Sequence, residues 1–274
     1  MLATTDTFTL RFAPGRPRVR LRDLTGADER AVAGTATDDA LRLLDALMLA
    51  PPGSSPLPRA EELVASDRDR LLVAIYQRAF GDRIENTLKC TNCRNPFDID
   101  FSLGRLAGSL ESSRPVPRAH AVAENRFETA DGLRFRLPTG RDERVLAALP
   151  LAEIESGLLH CCIEANPESI VTPISADAAT LQDLLAEVAP LVDLELDASC
   201  PECRHAHALQ FDIQSYLLGA ILGERPRLAQ EIHRIAIAYG WGLEEVLSLT
   251  RRERRQFIEL IDNDAAARAR RYFG

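Results

Sequence analysis

Two cysteine pairs of identical spacing constrain this chain more than any other feature. The stretch "KCTNCR" carries Cys90 and Cys93, and "SCPECR" carries Cys200 and Cys203. Four thiolates arranged as two C-x-x-C pairs form the tetrahedral soft-ligand set that zinc favours. A zinc ribbon usually places its two halves only about 15–20 residues apart. The sequence therefore predicts one zinc site on the condition that the fold brings two distant pairs together.

An internal repeat would meet that condition. The segment "VRLRDLTGADERAV" at 19–32 resembles "FRLPTGRDERVL" at 135–146, and "IENTLKCTNCRNPFDIDF" at 84–101 resembles "LELDASCPECRHAHALQF" at 194–211. The two matches keep their order and nearly their spacing, which is typical of an ancient duplication. We therefore predict a first unit at 1–113 and a second at 114–213, packed about a pseudo-twofold axis so that the two cysteine pairs meet at one ion.

The local pattern within each unit predicts an α+β fold. An extended stretch leads to Thr25 or Thr139, and an aspartate three residues later completes a capping box that begins a helix. Alternating apolar residues predict strands on both sides of each cysteine pair. Apolar residues after 211 recur at helical intervals, which predicts a small helical C-terminal region at 214–274. We expect two duplicated helix-plus-hairpin units joined by a four-cysteine, zinc ribbon-like site, with residues 108–125 as a linker.

Two other interpretations of the cysteine pairs remain open at this point. A thioredoxin-like redox pair needs a C-x-x-C at the start of a helix that follows a parallel strand, whereas strands are predicted on both sides here. Degenerate, metal-free thiols are the third interpretation. Arginine follows each pair at a position where glycine often relieves a left-handed backbone, at a cost of about 1 kcal/mol or less.

The remaining cysteines and histidines predict no catalytic residues. His205 and His207 alternate along the second predicted hairpin, and we expect them on its exposed edge because no carboxylates accompany them. Cys161 and Cys162 lie in an apolar helical pattern, which predicts core packing rather than a nucleophile. The chain lacks a glycine-rich phosphate loop and the G-x-S-x-G and H-E-x-x-H motifs. A zinc ion with four thiolate ligands has no open position for activating water.

Charge and hydropathy narrow the possible partners. The net charge is −8, and six acidic residues surround the cysteine pairs, so we expect no nucleic-acid binding. Lys89, Arg94 and Arg204 stand beside the ligands and offset the charge of a four-thiolate zinc site. Apolar runs are too short for a membrane span, and the first residues show no secretory leader pattern. We therefore expect a cytoplasmic protein without membrane insertion.

The order of four segments resembles the baseplate-associated proteins of contractile phage tails and related contractile injection systems. These segments are "LLVAIYQRAFGDRIENTLKCTNCRNPFDIDFSL", "LPTGRDER", "LELDASCPECRHAHALQFDIQSYL" and "EIHRIAIAYGWGLEEVLSLTRRERRQFIELI". The resemblance covers most of residues 65–262. The arginine after each cysteine pair departs from the glycine that is usual there.

This resemblance implies a structural or assembly protein of the baseplate that has no catalytic activity. Its partners would be other baseplate or tail proteins, and Cys90, Cys93, Cys200 and Cys203 would hold one structural Zn²⁺ per chain. The C-terminal helices at 215–261 are the expected contact surface, because their apolar residues are too many for a short array to bury and include the only tryptophan, Trp241. The alternative for this face is that it packs back on the zinc-linked body. A nucleic-acid-binding zinc ribbon and an enzyme with a purely structural zinc are the alternatives. The sequence leaves the oligomeric state open.

Overall fold

The fold is a mixture of helices and antiparallel sheets. The computed structural model describes residues 7–54, 56–112, 116–164 and 177–273. The predicted unit boundary between residues 113 and 114 lies outside this described part of the chain. A first half (7–112) and a second half (116–223) are followed by a C-terminal helical region (224–273), and these names are used below.

The first half combines a small sheet, four helices and a hairpin. Its sheet has the strand order β1 (Thr7–Thr9), β2 (Arg18–Leu21) and β3 (Met48–Leu49). Its helices are α1 (Gly26–Ala31), α2 (Thr37–Leu47), α3 (Ala65–Phe80) and α4 (Leu103–Ser112), with a 3-10 helix at Ala60–Glu62. Between α3 and α4 lies the hairpin of β4 (Arg83–Lys89) and β5 (Pro96–Ser102).

The second half repeats this order of elements after one additional strand. The sheet contains β6 (Ala119–Ala123), β7 (Arg126–Thr129), β8 (Arg134–Arg136) and β9 (Ile163–Glu164) in that order. The helices are α5 (Gly140–Ala147), α6 (Ile154–Cys162), α7 (Ala178–Val188) and α8 (Ile213–Gly223), with a 3-10 helix at Leu151–Glu153. The hairpin of β10 (Asp193–Ser199) and β11 (Ala206–Asp212) lies between α7 and α8.

The C-terminal helical region consists of α9 (Arg225–Tyr239), α10 (Leu243–Ser248) and α11 (Arg251–Phe273). Pro226 lies in the first turn of α9, where its missing N–H has no intrahelical partner to lose. Gly240 ends α9 with a φ of 70°, a left-handed conformation that glycine adopts without steric cost. Of the helices that the structure describes, none is both long and apolar enough to cross a membrane.

Both predicted capping boxes are present. The N–H of Asp28 donates to the side chain of Thr25, whose own N–H donates to Asp28, and Asp142 and Thr139 form the same box. A bidentate arginine strengthens each box: Arg22 donates to Asp28 at 2.5 and 2.7 Å, and Arg136 donates to Asp142 at 2.7 and 2.8 Å. The Thr-Gly-x-Asp-Glu pattern therefore sets where the helix begins. Through the arginine, the aspartate also holds the end of the preceding strand against the helix start.

Each box also docks on a distant segment in the same manner. Gly26 N–H donates to Leu249 O at 3.1 Å, and Gly140 N–H donates to Leu63 O at 3.0 Å. A side chain added at Gly26 would approach the Cα of Leu247 to 3.2 Å, so this contact requires glycine. The segments 249–254 and 63–68, called here the docking segments, thus cover the first and second box respectively.

A buried ion pair completes each docking contact. Arg254, 1% exposed, pairs with Glu29 at 2.7 Å, and Arg68, 6% exposed, pairs with Glu143 at 2.6 Å. Each arginine stands five residues after the leucine that accepts the glycine N–H. Arg254 also donates to Glu231 of α9 at 2.9 Å. The two boxes are predictable from the sequence, but the docking segments that cover them are not.

Three apolar clusters form the interior. The largest joins the first half to Phe211, Ile213, Leu217, Leu218 and Ile221 from the end of the second hairpin and α8. A second cluster lies mainly in the second half around Phe135, Leu181 and Cys162, and it includes Val64 of the first half. The third lies at the hairpin tips around Cys90, Phe97 and Cys200. The two hairpins therefore converge where the cysteines lie.

The prediction of a linker at 108–125 is wrong for most of its length. Helix α4 continues to Ser112, and β6 occupies Ala119–Ala123. Leu106 and Leu110 of α4 pack against the largest cluster. Their helical spacing was available in the sequence, but the serine- and proline-rich composition of this stretch obscured it.

Candidate metal centre

Both cysteine pairs lie in hairpin turns of the same construction. Cys90 N–H donates to Asn95 O and Arg94 N–H donates to Cys90 O, at 2.9 and 3.0 Å. The second turn repeats this, with Cys200 N–H on His205 O at 3.0 Å and Arg204 N–H on Cys200 O at 2.8 Å. These turns point the two thiols of each pair and nearby backbone amides toward the same space.

Arginine adopts the left-handed conformation that was predicted after each pair. The φ angle is 64° at Arg94 and 58° at Arg204. A side chain in this region costs about 1 kcal/mol relative to glycine. Each turn therefore contains one strained backbone residue, and the arginine side chain of that residue places a positive charge beside the thiols.

The four thiols of Cys90, Cys93, Cys200 and Cys203 come together as one cluster. Their sulfur atoms all lie within 4.8 Å of one another, and no other group of metal-binding side chains occurs in the described ranges. Cys90 Sγ lies 3.6 Å from Cys203 Sγ, and Cys93 Sγ lies 3.7 Å from Cys200 Sγ. Zinc–sulfur bonds of about 2.3 Å in a tetrahedron place sulfurs about 3.8 Å apart. The donor atoms are therefore close enough to hold a single metal ion.

The closest sulfur contacts cross between the hairpins. Each of them joins the first cysteine of one pair to the second cysteine of the other. Cys90 and Cys200 are 1% exposed, whereas Cys93 and Cys203 are half-buried. The half-buried thiols give an ion access from solvent, and the buried thiols and Phe97 shield the other side. A bound ion would thereby cross-link the first and second halves.

The protein environment distributes charge unequally over the thiols. The backbone amide of His205 and the side chain of Asn92 lower the pKa of Cys203 to about 6. The backbone amide of Asn95 also favours a thiolate at Cys93, but desolvation and the three neighbouring thiols outweigh it and raise the pKa of Cys93 to about 12. Without a cation the surroundings therefore favour the thiolate of Cys203 and oppose ionisation of Cys93. A divalent ion removes that opposition, because it binds thiolates directly.

The structure partly corrects the prediction for the two histidines. His205 is exposed, as expected. His207 instead packs against Phe97 of the other hairpin, with ring centroids 5.2 Å apart, and its Nε2 has no hydrogen-bond partner among the described residues. This contact is not predictable from the sequence, because it depends on how the two hairpins approach each other.

Cys161 and Cys162 pack in the second apolar cluster, as predicted. Cys162 is fully buried, and desolvation raises the pKa of its thiol to about 12. Burial likewise raises the pKa of Cys161. Burial therefore disfavours the thiolate form of both residues, in keeping with core packing.

Comparison of the chain with protein-family models, with curated proteins and with solved structures gives no match. The relationship to baseplate proteins thus remains a prediction from the sequence motifs alone. Four sulfur donors from two hairpins lie close enough to hold one metal ion.

Proposed function

We propose that this protein is a non-catalytic structural or assembly component of a contractile-tail or injection-system baseplate, assembled in the cytoplasm. The sequence resemblance provides the family, and the four-sulfur cluster is the single structural feature that carries the proposal. A closed cluster that bridges two halves suits a rigid protein-contact module. Genes for sheath, tube and spike proteins beside this gene would support the proposal.

We also propose that the bound metal is zinc and that its role is structural. All four donors are sulfur, and their separations match a tetrahedral site. Zinc favours this geometry and ligand set, and a site without an open position does not activate water. Closure of the two halves and metal binding are then thermodynamically linked.

Elemental analysis of the purified full-length protein is expected to give one zinc ion per chain. The Cys93→Ser, Cys203→Ser double variant is expected to lose the metal, because each hairpin then keeps only one sulfur donor. The Cys161→Ser variant is the matched control and should retain the wild-type ratio. A ratio near zero or near two in the wild-type protein would count against a shared four-thiolate site.

A duplication within the chain accounts for the paired features of the two halves. The strand, helix and hairpin order recurs, and each hairpin closes with an amide from the following helix: Leu103 N–H on Asp82 O and Ile213 N–H on Val192 O. Helix α8 is in this view the counterpart of α4. We therefore propose that the second unit extends through α8, beyond the boundary at residue 213 that the sequence suggested.

The proposed partner surface lies on the C-terminal helical region. Ile235, Val246 and Leu247 of the expected contact set are buried, so part of this region packs back on the protein. Ile237 and Leu243 are 71% and 46% exposed. Trp241 lies between them in the chain, half-buried, with its ring centroid 5.0 Å from Phe257 and 5.3 Å from Tyr239. An aromatic group bordered by exposed aliphatic residues is typical of an interface anchor.

Replacing Trp241 with alanine is expected to impair recruitment of the protein to tail particles while its melting temperature falls by only a few degrees. The reason is that the indole contacts Tyr239 and Phe257, which lie outside the main apolar clusters. Affinity purification of particles with a tagged protein measures recruitment, and scanning calorimetry measures the melting temperature. Leu151→Ala, at a residue 86% exposed in the second half, is the control and should change neither.

Two results would contradict this surface. Global unfolding of the Trp241→Ala protein would show that the indole is part of the core. Normal recruitment of a folded Trp241→Ala protein would move the partner surface elsewhere.

A further inference from the structure

A basic cleft lies between α3, the turn that joins β2 to α1, and the first turns of α11. Its volume is about 680 Å³. Its lining contains two acidic residues, Asp23 and Glu259, and a larger number of basic ones. The basic residues are the five arginines Arg22, Arg78, Arg251, Arg252 and Arg255. The whole chain carries a net charge of −8, so the cleft is opposite in sign to the protein around it. Such a reversal marks a place where anionic groups accumulate.

The arginines of the cleft differ in whether they already have partners. Arg22 is bound to Asp28, and Arg78 donates to Asp23 at 2.5 Å. Arg252 and Arg255 are exposed and form no ion pair with any residue that the structure describes. They stand three residues apart on α11, so that their side chains lie on the same side of the helix. Two guanidinium groups thus remain available to a ligand.

Arg251 adds a buried and incompletely satisfied cation. It is 7% exposed, its guanidinium lies 4.4 Å from the centre of the Phe80 ring, and one of its nitrogens binds Glu224. Its Nη1 has no hydrogen-bond partner within the described chain. Burial lowers the pKa of Arg251, Glu224 opposes this, and the nearby Arg255 adds to the lowering. An anion in the cleft would reduce the cost of this buried charge.

The apolar part of the lining indicates what kind of anion fits. Leu24 and Ile75, 6% and 3% exposed, and the half-buried Ala79 form the apolar floor of the cleft beside the arginines. A nucleic-acid backbone presents phosphates without an apolar face, and Asp23 and Glu259 would repel it. A short peptide helix with carboxylates on one side and aliphatic groups on the other matches both parts of the lining.

We propose that this cleft binds an acidic amphipathic segment of a partner protein. Arg252 and Arg255 contact its carboxylates, and its aliphatic side lies on the floor of the cleft at Ala79, above the buried Leu24 and Ile75. The proposal concerns the chemistry of the cleft alone and stands independently of the baseplate role. It also involves a different surface from the exposed residues around Trp241.

Fluorescence anisotropy with the full-length protein tests this assignment. The probe is a labelled helical peptide of about 12 residues, about 18 Å long, with glutamate and leucine on opposite faces. We expect binding that weakens with added salt, and at least about tenfold weaker binding by the Arg252→Glu, Arg255→Glu protein, because like charges then face each other. The control protein carries Arg30→Glu and Arg105→Glu, the same charge change at exposed arginines outside the cleft. It should bind within about twofold of the wild type.

Three results would overturn the proposal. One is equal binding of a peptide with glutamine in place of glutamate, and another is equal weakening in the two double variants. The third is a labelled DNA duplex or single-stranded RNA that binds more tightly than the peptide and loses binding in the Arg252→Glu, Arg255→Glu protein. Thermal melts of both variants establish that they are folded before binding is compared.

Discussion

Replacing Cys90 with serine is expected to lower the free energy of unfolding by several kcal/mol. Cys90 is 1% exposed, and its sulfur makes the closest contact with Cys203 of the other hairpin. Loss of this donor weakens metal binding, and metal binding stabilises only the state in which both hairpins meet. Urea denaturation in zinc-containing buffer measures the change.

The matched control for this experiment is Cys161→Ser, which removes a partly buried thiol outside the cluster. We expect this variant to remain within about 1–2 kcal/mol of the wild type and to be destabilised by a chelator as strongly as the wild type is. Chelator should have little further effect on Cys90→Ser. Equal stability of Cys90→Ser and wild type in zinc-containing buffer would show that the cluster does not hold the halves together.

Replacing Arg254 with methionine is expected to destabilise the protein by about 3–5 kcal/mol, the usual cost of removing one partner from a buried ion pair. Glu29 and Glu231, 2% and 7% exposed, would both lose their closest positive charge. Glu29 would then have no ion-pair partner, and Glu231 would keep only the longer contact with Arg227, at 3.4 Å. A buried carboxylate without a close partner either stays charged at high cost or takes up a proton. Chemical denaturation at neutral pH measures the loss.

Two further variants separate charge from packing at this position. Arg255→Met, on the next and exposed residue of α11, should change stability by less than about 0.5 kcal/mol. Adding Glu29→Gln to Arg254→Met should recover part of the loss, because one of the unpaired charges is then removed. If Arg254→Met is as stable as Arg255→Met, the buried network does not fasten α11 to α1.

Local features of this fold were predictable because local chemistry determines them. Each capping box, at Thr25 and at Thr139, is formed by two residues only three positions apart. One short segment therefore contains both the donor and the acceptor of these hydrogen bonds. The left-handed residues Arg94 and Arg204 follow from the C-x-x-C turn itself. The proximity of the two cysteine pairs was predictable for a different reason. The proposed repeat places the two pairs at equivalent positions of two similar units, and a pseudo-twofold arrangement brings equivalent turns together.

Contacts between distant segments were not predictable in the same way. The two boxes have nearly the same sequence, yet one is covered by 249–254 and the other by 63–68. Nothing in either box specifies which segment docks on it, because the glycine N–H can donate to any suitably placed carbonyl oxygen. The contact between His207 and Phe97 likewise depends on the approach of two separate hairpins. In the sequence, Arg254 is one of several arginines in "RRERRQF". Its burial in the structure distinguishes it from its exposed neighbours.

The docking of the first box on the C-terminal helical region has a consequence for the protein as it is being synthesised. Glu29 and Arg254 are separated by 225 positions in the chain, and Cys90 and Cys203 by 113. At about 5–20 residues per second, roughly 6–23 s pass between the two cysteines and about 11–45 s between the two charges. Until residue 203 has been synthesised the nascent chain carries only half of the thiol site, and until residue 254 has been synthesised Glu29 lacks its buried arginine partner. The first half therefore reaches its final form only after residue 254 has been added.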